Sequence, residues 1–343
     1  MSRNNYEPIV VCSTEGMTEQ EWLEWRKKGI GGSDAGVCMG ANHYRTKRDL
    51  FFDKVGKKPV VEKEKSDLPL RWGHALEPVV AEEFSIRMGL HVHERKEMYR
   101  HPAYPFMQAN VDRFIDLPDG TVGILECKTG NPAVKQQWED NSIPYSYEIQ
   151  VRHYMAVMNL DVAYIACLFE NSSDTMAIRK IERDLEFEPQ LIEAERDFWE
   201  NFVLKGVEPP LEEDPDLCFE VIDRNVQVQV GQTMELTGFD DVLPQIAELR
   251  AEKKRLEDEA KAAAKKADAL MVQIVDAMGN KNSCSATVDG VKYTIKRTPM
   301  KPRTGVPSEL LVRMKDQHPE IYQEFVKETP VKSRIDFKSG SAD

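Results

Sequence analysis

The sequence predicts an α/β fold: a mixed central β-sheet flanked by helices, followed by an extension built from one long helix and a β-hairpin. Three observations predict it. Between 18 and 205, stretches with helical spacing alternate with strand-like runs in the order α, βββ, α, ββ, α. Leu117-Pro118-Asp119-Gly120 joins two of those runs in the manner of a tight hairpin. From about 243 to 278, positions that recur in steps of three and four are apolar at all but Lys253.

The elements follow in order. Thr18 with Glu21 is a capping-box pattern and starts a helix over 18–29. Gly29-Ile30-Gly31-Gly32-Ser33-Asp34 reads as a turn into a new helix beginning at Ser33 or Asp34, and a further helix covers 46–54. The stretch 56–69 is rich in Lys, Glu and Pro and reads as an exposed loop. The next helix starts between 71 and 77, because Pro78 suits a first turn or a kink, and ends near 88 before Gly89. Its expected apolar face is Leu76, Val79, Val80, Phe84 and Met88. Strands are expected at 90–99, 106–116 and 121–128, then a helix at 145–159. Strands at 162–169 and 175–182 flank a turn at Asn171-Ser172-Ser173-Asp174, and 190–205 is helical. The prolines and acids of 208–216 mark a linker, so the expected division is a core at 1–207, a linker at 208–240 and a helical, basic extension at 241–343. The long helix suits a helical hairpin or coiled coil, a hairpin turns at Asp289-Gly290, and short helices interrupted near Pro319 precede a basic tail.

Bulk properties narrow the function classes. The 343 residues, 41% hydrophobic and 31% charged, suit a soluble globular chain. No uncharged apolar run is long enough for a transmembrane helix, and the first residues lack an apolar signal core, so no membrane partner and a cytoplasmic location are expected. Six widely spaced cysteines form no Cys-x-x-Cys pair, which argues against a zinc site, an iron–sulfur cluster or a disulfide framework. The net charge of −13 weighs against a polyanionic partner, yet it is uneven. Between 181 and 216 there are 13 acids against 3 bases, whereas between 291 and 338 there are 11 bases against 6 acids. A global sum therefore hides any local basic groove.

Asp112, followed by Glu126-Cys127-Lys128 on the next strand, is the constellation that points to chemistry. Glu126 and Lys128 are two apart and share a face, and a tight hairpin brings Asp112 beside Glu126. Two carboxylates and an ammonium at one sheet edge suit Mg²⁺, with the lysine placed to orient or help deprotonate an attacking water. An exposed salt-bridged strand face is the competing reading of the same three residues. Glu77 borders the apolar face of its helix and could complete a metal shell, or simply face solvent. Gln150 and Tyr154 lie at i and i+4 on one helix face, which helix packing alone also explains. Arg26 beside the glycine loop and Ser33 could hold a phosphate, although Asp34 at the same helix start would compete.

These blocks together resemble a known family. Trp25-Arg26 with Gly29 to Asp34, Gly73 to Glu77, His101-Pro102 through Asp112, Leu125 to Thr129 and Gln150 to Met155 are similar to the YqaJ-like viral recombinase group of lambda-type exonucleases. That group lies within the PD-(D/E)XK nuclease superfamily, and the blocks span about 22 to 170. The resemblance implies a restriction-endonuclease-like core. It implies Glu77, Asp112, Glu126 and the Cys127 carbonyl as ligands of Mg²⁺, with Mn²⁺ as an alternative and two ions expected. Lys128 would serve the water nucleophile, Gln150 and Tyr154 would support the site and the nearby DNA backbone, and Arg26 and Ser33 would grip a terminal 5′-phosphate. Val111 stands where the superfamily name implies proline, at a variable position. The activity implied is 5′→3′ digestion of double-stranded DNA from its ends, yielding single strands for phage-type annealing recombination. A ring-shaped homotrimer and a single-strand annealing partner are implied with it. The alternatives are a structure- or sequence-specific endonuclease on the same fold and a non-catalytic DNA-binding scaffold. The extension beyond 208 carries none of the motifs and is open between an oligomerisation appendage and a dock for DNA or the annealing protein.

Overall fold

A computed structural model describes residues 5–60, 68–169, 175–229, 231–298 and 307–326. Strand β1 (Ile9–Ser13) leads into three short helices, α1 (Glu19–Arg26), α2 (Gly32–Cys38) and α3 (Lys47–Val55). Thr18 caps α1 reciprocally with Glu21 as its sequence pattern indicates, and Thr46 does the same for α3 with Asp49. Helix α4 (Leu68–Met88) starts earlier than expected and continues through Pro78. Pro78 has no N–H to donate, so the carbonyl of His74 loses its helical donor. The buried stripe of α4 is Val80, Ala81 and Phe84, while Val79 and Met88 are exposed.

The expected strands at 90–99 and 106–116 are each broken in two. They become β2 (His91–His93) and β3 (Glu97–Arg100), then β4 (Gln108–Ala109) and β5 (Arg113–Asp116). The break has a topological cause: β3 and β4 join β1 in a three-stranded sheet, whereas β2 and β5 enter a second sheet. Gly120, at φ +81°, completes the expected hairpin turn into β6 (Val122–Thr129). Helix α5 (Tyr145–Met158), β7 (Val162–Leu168) and β8 (Met176–Glu182) follow, and the turn expected at 171–174 lies outside the described residues. The five-stranded sheet has the order β2-β5-β6-β7-β8, with β6 and β7 parallel and every other pair antiparallel. A mixed sheet in an α/β frame is what the order of elements predicts.

Period-two alternation fills both faces of this sheet. Ile115, Leu125 and Ala166 pack against Val80, Ala81 and Phe84 of α4. Their neighbours Phe114, Ile124 and Ile165 belong to the cluster that contains Val151 and Met155 of α5. The same alternation sends Glu126 and Lys128 to the α5 face and Cys127 to the α4 face. Helix α6 (Glu188–Asp197) runs on into a π-helical turn over Phe198–Val203, close to the expected 190–205.

Residues 1–228 form one compact unit and 229–343 a second. The segment read as a linker holds helix α7 (Pro215–Asn225) in the first unit. Cys218 and Val221 are buried there, and Arg224 donates to Asp49 of α3 at 2.7 Å. Three prolines and a run of acids had masked a short amphipathic stripe. In the second unit, α8 (Val242–Met278) is one continuous helix about 55 Å long. A hairpin of β9 (Ser283–Val288) and β10 (Val291–Lys296) and the helices α9 (Ser308–Gln317) and α10 (Pro319–Phe325) follow among its described residues. The basic tail beyond 326 lies outside the described residues. All six cysteines are free, and no described helix is long and apolar enough to cross a membrane.

Phe84 is fully buried and meets the Tyr164 ring edge-on at 5.4 Å. Phe84→Ala is expected to destabilise the first unit by about 3–5 kcal/mol, read as a lowered urea midpoint.

Candidate active site

One cleft of about 590 Å³ is lined by Arg26, Ser33, Glu77, Asp112, Glu126, Cys127, Lys128, Gln150 and Tyr154. These are all nine residues that the sequence singled out. Asp112 lies just before β5, in the link where the chain leaves one sheet for the other. Because Arg113 pairs with Leu125, the register sets Asp112 opposite Glu126. The peptide N–H of Cys127 donates to Asp112 Oδ2 at 2.9 Å and fixes the carboxylate there.

Glu126 is 1% exposed. Its Oε1 accepts from Gln150 Nε2 at 2.6 Å and faces Lys128 Nζ at 2.6 Å. Lys128 Nζ also donates to Gln150 Oε1 at 3.0 Å, so one amide bridges the acid and the amine. Gln150 Nε2 reaches the Tyr154 hydroxyl at 3.3 Å, which accounts for the i and i+4 pairing on α5. Glu77 closes the cleft from the α4 side and accepts from Arg113 at 2.5 Å. Arg113 carried no signal in the sequence beyond its place next to Asp112. Yet its guanidinium also donates to the Asp112 carbonyl, tying the acid on α4 to the link before β5.

The electrostatics bear on whether a cation fits. Burial, with the nearby Glu126 charge, pushes the Asp112 carboxyl up to about 7 against the pull of Lys128. Burial and Asp112 likewise raise Glu77, with Arg113 and His74 opposing. Burial alone would lower the Lys128 ammonium, but Glu126 and Asp112 outweigh it and the net direction is up. The second oxygen of Glu126, Oε2, is buried and accepts no hydrogen bond. Three clustered carboxylates, two of them with raised pKa and the third with an orphaned buried oxygen, are hard donors short of positive charge. They fit a divalent cation of the Mg²⁺ kind. Around them the cleft is balanced: Arg26, Arg95, Lys96, Arg113 and Lys128 face Glu77, Glu94, Asp112 and Glu126. The net charge of the chain is therefore not focused on this cleft.

At the other end, Arg26 donates to the Ser33 hydroxyl at 2.7 Å and lies 4.9 Å from the Trp22 ring. Asp34 stands in the first turn of the helix beside them. The carboxylate of Asp34 accepts from the N–H of Gly31 at 3.1 Å and from Lys54 Nζ at 2.7 Å. Burial would raise the Asp34 carboxyl, but Lys54, Arg26 and Arg45 together hold it well below the usual carboxylate range. Gly32 permits the last close approach: a Cβ there would lie 2.6 Å from Tyr154 ring atoms and 3.0 Å from the Gln150 side chain.

Sequence reasoning missed one further support. His153, in the same block as Gln150, is fully buried between the Gln108 carbonyl at 2.8 Å from Nε2 and Glu195 at 2.7 Å from Nδ1. A carbonyl only accepts, so Nε2 carries a proton, and the imidazole clamps β4 to α5 and α6. No spacing rule links residues 108, 153 and 195.

The description of YqaJ-like viral recombinase domains matches residues 21–161. The uncharacterised protein YqaJ of Bacillus subtilis (strain 168) is 33% identical over 330 residues, covering 93% of this chain and 94% of that protein. Among solved structures, an alkaline exonuclease from Laribacter hongkongensis is 16% identical, with 54% of this chain and 93% of that chain covered and a TM-score of 0.45. A phage related exonuclease from Haemophilus somnus 129PT is 15% identical, with 52% and 96% covered and a TM-score of 0.38.

Asp34→Asn leaves Lys54, whose side chain is 4% exposed, without its charge partner. Stability at neutral pH is expected to fall by about 3–5 kcal/mol, measured by thermal unfolding of the intact chain.

Proposed function

We propose an activity for this chain from one premise: it belongs to the family of YqaJ-like viral recombinase domains. It is a metal-dependent deoxyribonuclease that digests double-stranded DNA from its ends in the 5′→3′ direction and leaves single strands for annealing. The observation that carries this reading is the meeting of Asp112, Glu126, Lys128 and Gln150 in one cleft, with Glu126 Oε2 left without a partner. A solvated salt-bridged strand face, the rival account of these residues, would not bury Glu126.

Asp112 and Glu126 would hold Mg²⁺, two ions being the reading we favour, with Glu77 and the Cys127 carbonyl completing the set and Mn²⁺ able to substitute. When bound, the metal supplies polarisation of the phosphodiester and neutralises its charge. The chain's own groups do the rest. Gln150 fixes Lys128 and Glu126 relative to each other, so the ammonium needs little reorganisation when substrate arrives. Lys128 orients the attacking water and stabilises the extra negative charge that develops at phosphorus. Tyr154 backs Gln150. Arg26 offers a charged, planar donor to a terminal 5′-phosphate, with Ser33 as a second donor once the present contact between them opens. The five cations of the cleft wall let a polyanion approach despite the net charge of −13.

The direct test is one linear duplex labelled at either end, a closed circular duplex, and Mg²⁺, Ca²⁺ or EDTA. Loss of label from the 5′ end of the linear duplex only with Mg²⁺, and an intact circle, are expected. Cutting of the circle would make the protein an endonuclease. Asp112→Asn should lower the rate by about 10²-fold or more, and unchanged digestion by that variant would remove the site from the chemistry.

Arg26→Ala should slow digestion most on 5′-phosphorylated ends. Equal slowing on phosphorylated and unphosphorylated ends takes Arg26 out of phosphate recognition.

A further inference from the structure

A second cluster of metal-ligating side chains lies outside the cleft. His91 and His93 are two apart on β2, so their rings leave the same face of the strand. Asp116, on the neighbouring β5, is the cross-strand partner of His91. One ligand atom from each residue lies within 4.8 Å of the others. None of the three lines the cleft.

Two details separate this cluster from an ordinary surface ion pair. His91 Nδ1 faces Asp116 Oδ2 at 2.7 Å, which accounts for two of the residues. It does not account for His93. The Nδ1 atom of His93 is buried and has no hydrogen-bond partner, and Asp116 Oδ1 stands 3.8 Å from it. A ring nitrogen withdrawn from water and left unmatched is costly, and a cation between the two strands would satisfy it. The ring itself is braced from behind by stacking on Phe114 at 5.9 Å between centroids. The carboxylate turns one oxygen to each imidazole.

We infer that His91, His93 and Asp116 form a binding site for a late first-row divalent cation, Zn²⁺ foremost, distinct from the carboxylate cluster of the cleft. The donor set decides the class. Two imidazoles and one carboxylate suit Zn²⁺, Co²⁺, Ni²⁺ or Cu²⁺, whereas Mg²⁺ prefers oxygen. Tetrahedral zinc with bonds of about 2.0 Å places its ligand atoms about 3.3 Å apart. The separations here, 2.7 Å and 3.8 Å to the carboxylate and at most 4.8 Å overall, bracket that value. The His91 side chain is 71% exposed and can rotate to meet it. Three protein ligands leave a fourth position open to water or an outside donor. The bound ion would cross-link the edge strand β2, held by only three paired residues, to the strand that follows Asp112.

The test is Zn²⁺ binding to the chelator-stripped full-length protein, by equilibrium dialysis with millimolar Mg²⁺ present to occupy the hard-oxygen cluster, and Co²⁺ as a spectroscopic probe. Wild type should retain one Zn²⁺ more than His91→Ala, whose affinity should drop at least as far as the roughly 10–100-fold that loss of an outer-sphere partner costs. His93→Gln should do the same. Asp112→Asn should bind this Zn²⁺ as wild type does. Co²⁺ should give tetrahedral visible bands without a thiolate charge-transfer band. Equal Zn²⁺ stoichiometry and affinity in wild type and His91→Ala overturns the inference, as does a thiolate band, which would place the metal on cysteine. His91 is exposed, so His91→Ala keeps the fold and the comparison stands on it alone.

Discussion

The antiparallel pairing of β5 with β6 is the constraint from which the cleft follows. Its register sets Asp112 against Glu126, and the peptide N–H of Cys127 holds the Asp112 carboxylate in place. Alternation along β6 then turns Glu126 and Lys128 toward α5, where one amide reaches both. A slip of one residue would send the two charged groups to the α4 face, among Val80, Ala81 and Phe84. The apolar pattern that drives folding and the polar pattern that makes the site are therefore one pattern. Leu125 and Ile124 cannot be seated on their proper faces without seating Glu126 as well.

This pairing also explains why burial and charge coexist here at tolerable cost. Glu126 is removed from water but has Lys128 and Gln150 at hydrogen-bond distance. Asp112 has the Cys127 peptide and Glu77 has Arg113. Each acid thus has a partner, and Asp112 still feels the charge of Glu126, as Glu77 feels that of Asp112. Such a cluster is half-neutralised by the protein, which leaves the remainder to a cation and its substrate.

Much of this was legible because it is local. Capping at Thr18, the turn at Gly120, the period of α5 and the spacing from Asp112 to Lys128 are all short-range properties. What escaped was long-range or compensated. Nothing in 90–116 announces that the chain changes sheets twice, because each half still alternates as a strand should. The α4 start was misplaced because Pro78 is tolerated ten residues into the helix. Helix α7 was hidden by its flanking prolines and acids, and only its burial of Cys218 and Val221 reveals it. Lys54 and Arg45 gave no sign of neutralising Asp34, nor Glu195 of meeting His153, since those partners are set by packing.

The crossing at residues 110–112 has a consequence for assembly of the molecule. Asp112 belongs to neither sheet: on one side β4 is tied to β3 and to Ile30, and on the other β5 is tied to β6. The five-stranded sheet carries Glu126, Lys128 and the Cys127 N–H that holds the Asp112 carboxylate, while the link that bears Asp112 runs back into the smaller sheet. Completion of the smaller sheet draws on β1, near the start of the chain, and on a contact between Ile30 and residues 106–108. The amino-terminal strand never touches Asp112, yet it belongs to the smaller sheet from which the chain passes to that acid.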